Sequence, residues 1–148
     1  MEFQVPKSLK HEHEVLLLEL VEATMEPGAV GEAAKEVSKV LYPHFIKEEE
    51  YAMPPLGILC MNAEGKPFPK MERIIAMAAR LKAELSQMHE EHKKIVTLLH
   101  ALSYAATKAN KPRYARFYEK FVLHVQVEEE VLYPAAIMIG EYLKTKLV

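Results

Sequence analysis

Histidine and glutamate recur in this chain at a spacing suited to metal chemistry. His44 is followed four residues later by Glu48, and His124 four residues later by Glu128. Each pair opens a run of three glutamates, Glu48-Glu49-Glu50 and Glu128-Glu129-Glu130, and each run leads to a proline, Pro54 and Pro134. The histidine, the glutamates and the proline are all displaced by 80 positions between the two copies. A second element repeats upstream: Glu12-His13 ahead of Val15-Leu16-Leu17, and Glu91-His92 ahead of Ile95-Val96 and Leu98-Leu99. Each half of the chain therefore offers one single histidine and one His-x-x-x-Glu pair. Six such groups (His13, His44, Glu48, His92, His124 and Glu128) converging inside one helical bundle would make a metal site. Imidazole and carboxylate donors together suit iron, manganese or zinc.

Helical geometry sorts the glutamates. Side chains four residues apart on a helix differ by about 40° around its axis, and side chains five apart by about 140°. Glu48 and Glu128 thus share the face of His44 and His124, whereas Glu49, Glu50, Glu129 and Glu130 are expected to be solvated. The six candidates fall on stripes otherwise made of Leu, Val, Ile and Phe, and a carboxylate in such a place is costly unless it is paired or bound to metal. A bound cation resolves the conflict for all six together. The duplication suggests two metals, about 3.5–4 Å apart as in other paired-metal sites. Of the remaining histidines, His11 lies about 200° from His13 and is expected to point outward. His100 lies near a seam without a partner pattern. His89, one turn before His92, is a candidate additional ligand on the neighbouring stripe. Cys60, the single cysteine, is read as a loop or packed thiol.

Four helical stretches must position these groups. The first runs from Ser8, an expected N-cap, to about Thr24, and the second from about Val30 to Ala52, stopped by Pro54-Pro55. The third follows Pro67-Phe68-Pro69 and extends to about Lys108. The fourth begins after Asn110-Lys111-Pro112 and lasts to about Leu143. Their apolar positions recur in steps of three and four: Leu9, His13, Leu16 and Leu20; Val37, Leu41, His44, Glu48 and Tyr51; Leu81, Leu85, Met88, His92, Ile95, Leu99 and Leu102; Phe117, Phe121, His124, Glu128, Val131, Ala135 and Met138. The pattern predicts an all-α fold, an antiparallel up-down four-helix bundle. It has a long third helix and a long connection, residues 53–69, between the second and third. Pro43 and Pro134 should each kink or break its helix. At ~1.5 Å per residue the third stretch would reach ~57 Å against ~35 Å for the second, so it is expected to overhang the bundle or break near Ser86.

The bulk numbers are those of an ordinary globular chain. Of its 148 residues half are hydrophobic and 27% charged, with a net charge of −2. One domain, 1–148, is expected. No basic excess points to nucleic acid or to a membrane surface, and the longest apolar run falls far short of the ~20 residues of a membrane span. The opening Met1-Glu2-Phe3-Gln4-Val5-Pro6 has no apolar signal core, so a cytoplasmic protein is expected. No motif names a protein partner.

At Leu9-Lys10-His11-Glu12-His13-Glu14, His44 to Glu49, Glu91-His92-Lys93 and His124 to Pro134 the chain resembles the hemerythrin-like HHE cation-binding domains. These are four-helix bundles holding a non-haem di-iron centre. The resemblance covers nearly the whole chain and implies that His13, His44, Glu48, His92, His124 and Glu128 are the metal ligands, with Glu48 and Glu128 bridging. It implies two iron ions per chain, with zinc or manganese as alternatives, and a small diatomic ligand, O₂ or NO. One departure stands out. Oxygen-carrying hemerythrins have a His-x-x-x-His pair on the third helix and His-x-x-x-x-Asp on the fourth. Here Met88 stands four before His92, and Glu128 stands at the four spacing, which leaves one metal and two both open. The leading expectation is a protein for O₂ or NO binding, redox sensing or iron handling. The alternatives are a di-iron enzyme with peroxidase-like or NO-reducing activity, and a helical regulatory module with a vestigial site. Ferritin-like oxidases, which carry Glu-x-x-His motifs, and zinc proteases with His-Glu-x-x-His do not match the spacing.

Overall fold

The computed structural model describes residues 4–66 and 70–147, and its ordered elements are helical throughout. Pro67-Phe68-Pro69, expected just ahead of the third helix, lie outside the described residues. Helix α1 covers Lys7–Thr24 and α2 covers Ala29–Lys47. The chain then passes through a π turn at Glu48–Ala52, a 3₁₀ turn at Pro54–Ile58 and a short helix α3 at Leu59–Ala63. Helix α4 covers Met71–Lys108 and α5 covers Pro112–Val127. A second π turn at Glu128–Leu132 leads into α6 at Tyr133–Lys144. Ser8 lies inside α1, which begins after Pro6 without a side-chain cap.

Side-chain pairs give the helix directions. Along α1 and α5, Glu12 meets His124, Glu19 meets Lys120 and Glu22 meets Arg113, so one number rises as the other falls. Likewise His44 meets Glu91 and Tyr51 meets Met88 between α2 with its π turn and α4. His92 meets Glu129 and Lys82 meets Glu141 along the other flank of α4. Neighbouring long helices are therefore antiparallel. Turn chemistry permits the reversals: Gly28 adopts φ 71° after α1, and Asn110 adopts φ 56° between α4 and α5.

The two π turns are the local departure from plain helix, and prolines account for them. Pro54 and Pro134 have no N–H to offer the carbonyls four residues back, at Glu50 and Glu130. The first ladder lengthens its step instead, with the Met53 N–H bonded to the Glu48 carbonyl at 2.8 Å. Pro134 then sits in the first turn of α6, where a missing N–H is tolerated. Of the kink or break expected at Pro43, the break does not occur: α2 runs through it without interruption. The extra residue of the second π turn also shifts the inward stripe. Val131 and Met138, expected inside, are 56% and 72% exposed, while Tyr133, Ala136, Ile139 and Leu143 are buried.

Helix α4 neither breaks at Ser86 nor overhangs. Ile74, Ala78 and Leu81 near its start are as buried as Leu99, Leu102 and Ala106 near its end. The turns after α2 and the continuation of α5 into α6 pack against α4 and cover its first half. Gly140 lets α6 approach there: a Cβ at this position would lie 2.4 Å from the Ala78 Cβ. The core forms two apolar clusters. One contains Leu20, Val37, Leu41, Ile95, Leu99 and Phe121, the other Tyr51, Met53, Ile74, Leu81, Met88 and Ala136. In sequence, His13, Glu48, His92 and Glu128 fall between residues of the two clusters. No helix among the described residues is long and apolar enough to cross a membrane.

Candidate metal centre

His13 is held by α1, His44 by the last turn of α2 and Glu48 by the first residue of the π turn that follows. His92 comes from the middle of α4, His124 from the last turn of α5 and Glu128 from the first residue of the second π turn. All six are buried, and Glu48 and Glu128 are at 0% exposure. Their donor atoms converge in two groups, His13, Glu48, His124, Glu128 and His44, Glu48, His92, Glu128, with the atoms of each group within 4.8 Å of one another. Both groups use the same two carboxylates. His89 joins neither group. His11 and His100 are exposed, and Cys60 is exposed at the short α3.

Each imidazole presents Nε2 to this interior. His44 Nε2 lies 3.1 Å from Glu48 Oε1, His92 Nε2 3.2 Å and His124 Nε2 3.3 Å from Glu128 Oε1. His13 Nε2 lies between the two carboxylates, 3.9 Å from Glu48 and 3.8 Å from Glu128. Each Nδ1 faces outward to a different carboxylate. His44 Nδ1–H donates to Glu91 at 2.9 Å, His92 Nδ1–H to Glu129 at 3.1 Å and His124 Nδ1–H to Glu12 at 2.5 Å. His13 Nδ1 lies 3.5 Å from Glu49. A carboxylate on Nδ1 fixes that tautomer and leaves the Nε2 lone pair pointing inward, which is how metal-binding histidines are oriented.

These outer contacts close a ring. Glu12 of α1 serves the histidine of α5, Glu129 after α5 serves that of α4, Glu91 of α4 serves that of α2, and Glu49 after α2 serves that of α1. The expectation that Glu49 and Glu129 are merely solvated is therefore corrected. Glu49 and Glu129 lie one residue, about 100°, past the inward Glu48 and Glu128, on the flank of the helix, and in a bundle the flank meets the next helix. Glu50 and Glu130, one residue further, are exposed as expected.

The interior is electrostatically unbalanced without a cation. Burial and the neighbouring Glu48 hold the Glu128 carboxyl well above the usual carboxylate range. Burial pushes Glu48 upward too, but its contacts to Glu128 and His44 outweigh that and bring its carboxyl below the usual range. Burial lowers His13 and His92, whereas for His44 the contacts with Glu48 and Glu91 outweigh burial and raise it. Nε2 of His13 and His124, Glu48 Oε1 and both Glu128 oxygens are buried with no hydrogen-bond partner among the described residues. Unpartnered imidazole nitrogens and carboxylate oxygens aimed at one interior are a donor set that a metal cation satisfies.

Tyr133 reaches the same interior. Its hydroxyl donates to Glu48 Oε2 at 2.9 Å and lies 3.2 Å from His92 Nε2 and 3.5 Å from His44 Nε2. On the other side Phe45 stacks on the His13 ring, with centroids 3.8 Å apart. Neither Tyr133 nor the four outer glutamates stand out as site residues from the His-x-x-x-Glu motif alone. The glutamates do carry a signal, because Glu12-His13 matches Glu91-His92 and Glu49 matches Glu129 in the repeat. Tyr133 carries none, since its counterpart 80 positions earlier is Met53.

Searches of curated proteins and of solved structures return no match. The family model for the hemerythrin HHE cation-binding domain matches residues 4–136, a span that takes in all six candidate ligands and the outer glutamates. The chain belongs to the hemerythrin HHE cation-binding domain family.

Proposed function

We propose that the chain holds two non-haem iron ions bridged by Glu48 and Glu128, and uses them to bind or sense a small diatomic molecule, O₂ or NO. The observation that carries the reading is the pair of four-residue groups sharing both carboxylates. His13 and His124 would serve one ion, and His44 and His92 the other. Bound iron would supply the one-electron chemistry and the open coordination position that a diatomic needs, and no amino-acid side chain supplies both.

The chain's own residues set the conditions. Outer glutamates hydrogen-bond Nδ1 of His44, His92 and His124, so these three imidazoles are oriented with Nε2 inward before a metal arrives, while Glu49 lies 3.5 Å from His13 Nδ1. Phe45 stacks on the His13 ring and Phe121 lies beside the His124 ring, apolar surface that limits water and favours a small uncharged ligand. Iron analysis after anaerobic reconstitution tests the first half of the reading. Two iron ions per chain are expected, and one per chain would reject the paired centre. Absorption spectra with and without O₂ or NO test the second half. A reversible spectral change supports binding or sensing, while sustained consumption of NO or peroxide would replace it with an enzymatic role.

A further inference from the structure

We propose that Tyr133 is a seventh protein ligand, donating its phenolate oxygen to the ion held by His44 and His92. This rests on the metal centre proposed above and makes its two halves chemically unequal.

Three observations carry it. The first is spacing. Two ligands at right angles on a metal with bonds of ~2.1 Å are separated by ~3 Å, and by ~3.4 Å in tetrahedral geometry. The Tyr133 oxygen lies 2.9 Å from Glu48 Oε2, 3.2 Å from His92 Nε2 and 3.5 Å from His44 Nε2. It therefore occupies a corner of the same donor cage. The second is constraint. The Tyr133 ring is fully buried and stacks on the His92 ring, with centroids 5.6 Å apart and planes within 10°. Its oxygen is held at that corner.

The third is backbone. Tyr133 is five residues past Glu128, and a regular helix would turn it about 140° away. The π turn at Glu128–Leu132 lengthens the local step and brings Tyr133 to the face that carries Glu128. Such π turns inside helices are frequent at functional sites. On coordination the O–H bond breaks, the oxygen keeps the electron pair as a phenolate donor to the metal, and the proton passes to solvent. The group of His13 and His124 has Phe45 beside it instead, so that ion keeps more open positions and is the one that meets a small ligand.

The test is spectroscopic. The protein is loaded with ferrous iron under reducing conditions, oxidised in air, and studied by visible absorption and resonance Raman scattering. A tyrosinate-to-iron charge-transfer band with enhanced phenolate ring modes is expected in the wild type. It should be lost in Tyr133→Phe and kept in Tyr51→Phe, whose hydroxyl faces the Met88 sulfur at 3.6 Å. Iron content and circular dichroism are measured on each variant. If Tyr133→Phe does not fold, the wild-type Raman spectrum still decides, because phenolate modes are either present or absent. Iron bound without phenolate modes, or a band that survives in folded Tyr133→Phe, overturns the assignment of Tyr133 and leaves the metal centre standing. A wild type that takes up no iron overturns both.

Discussion

Glu91 on α4 accepts a hydrogen bond from Nδ1 of His44 on α2, at 2.9 Å, while its second oxygen accepts one from Lys47 at 2.5 Å. Burial raises the Glu91 carboxyl, but Lys47 and His44 more than offset this and hold it below the usual carboxylate range. It therefore stays ionised as an acceptor, and His44 keeps its proton on Nδ1. Glu91→Gln should weaken metal binding about 10–100-fold, the usual cost of losing an outer partner of a ligand histidine. Competition with a chelator of known affinity measures it. Glu90→Gln, at an exposed neighbouring position, serves as control, and equal affinities for the two variants would show that the Glu91 contact does not orient His44.

Glu48 and Glu128 face each other without a buried lysine or arginine among the charged contacts they make. The double change Glu48→Leu, Glu128→Leu should abolish metal binding yet stabilise the metal-free fold by about 1–4 kcal/mol, since apolar side chains replace two buried acids. Thermal unfolding of both proteins in chelator checks this. A double variant that melts below the metal-free wild type would mean that the two acids are not a source of strain.

Metal binding should strengthen as pH rises. Glu128 is raised, so without metal it still holds its proton above the ordinary carboxylate range, and a metal takes only the ionised form. His44 is raised as well and keeps its second proton above the ordinary imidazole range. Both protons are displaced on binding, so affinity climbs from the ordinary carboxylate range until each group has passed its folded pKa, then levels. Glu48 is lowered, and His13 and His92 are lowered, so none of these three adds a displaced proton near neutrality. Proton release recorded in weakly buffered solution during metal addition measures the effect. An affinity that is flat between about pH 5 and 7 would contradict it.

His89 stands one turn from His92 but is only half-buried and joins neither donor group. His89→Ala should keep its full metal content, whereas His92→Ala should lose much of it. Parallel metal analysis of the two variants decides, and a matching loss in both would restore His89 as a ligand.

The buried histidine and glutamate layer was legible in the sequence because helix periodicity is local. His44 with Glu48 and His124 with Glu128 share a face in any α-helix, and the 80-residue repeat placed the same chemistry on both halves. The four long helices follow from the same periodicity with its proline and glycine punctuation. What lay beyond it depended on neighbours. Glu49 and Glu129 look solvated on an isolated helix, and only the adjoining helix turns their flank into a contact with His13 and His92. The inward stripe after Glu128 depended on a π turn, whose extra residue moves burial from Val131 to Tyr133. Periodicity at 3.6 residues per turn carries no register shift, so Tyr133 becomes a site residue only when α4, α6 and the turn between α5 and α6 pack together.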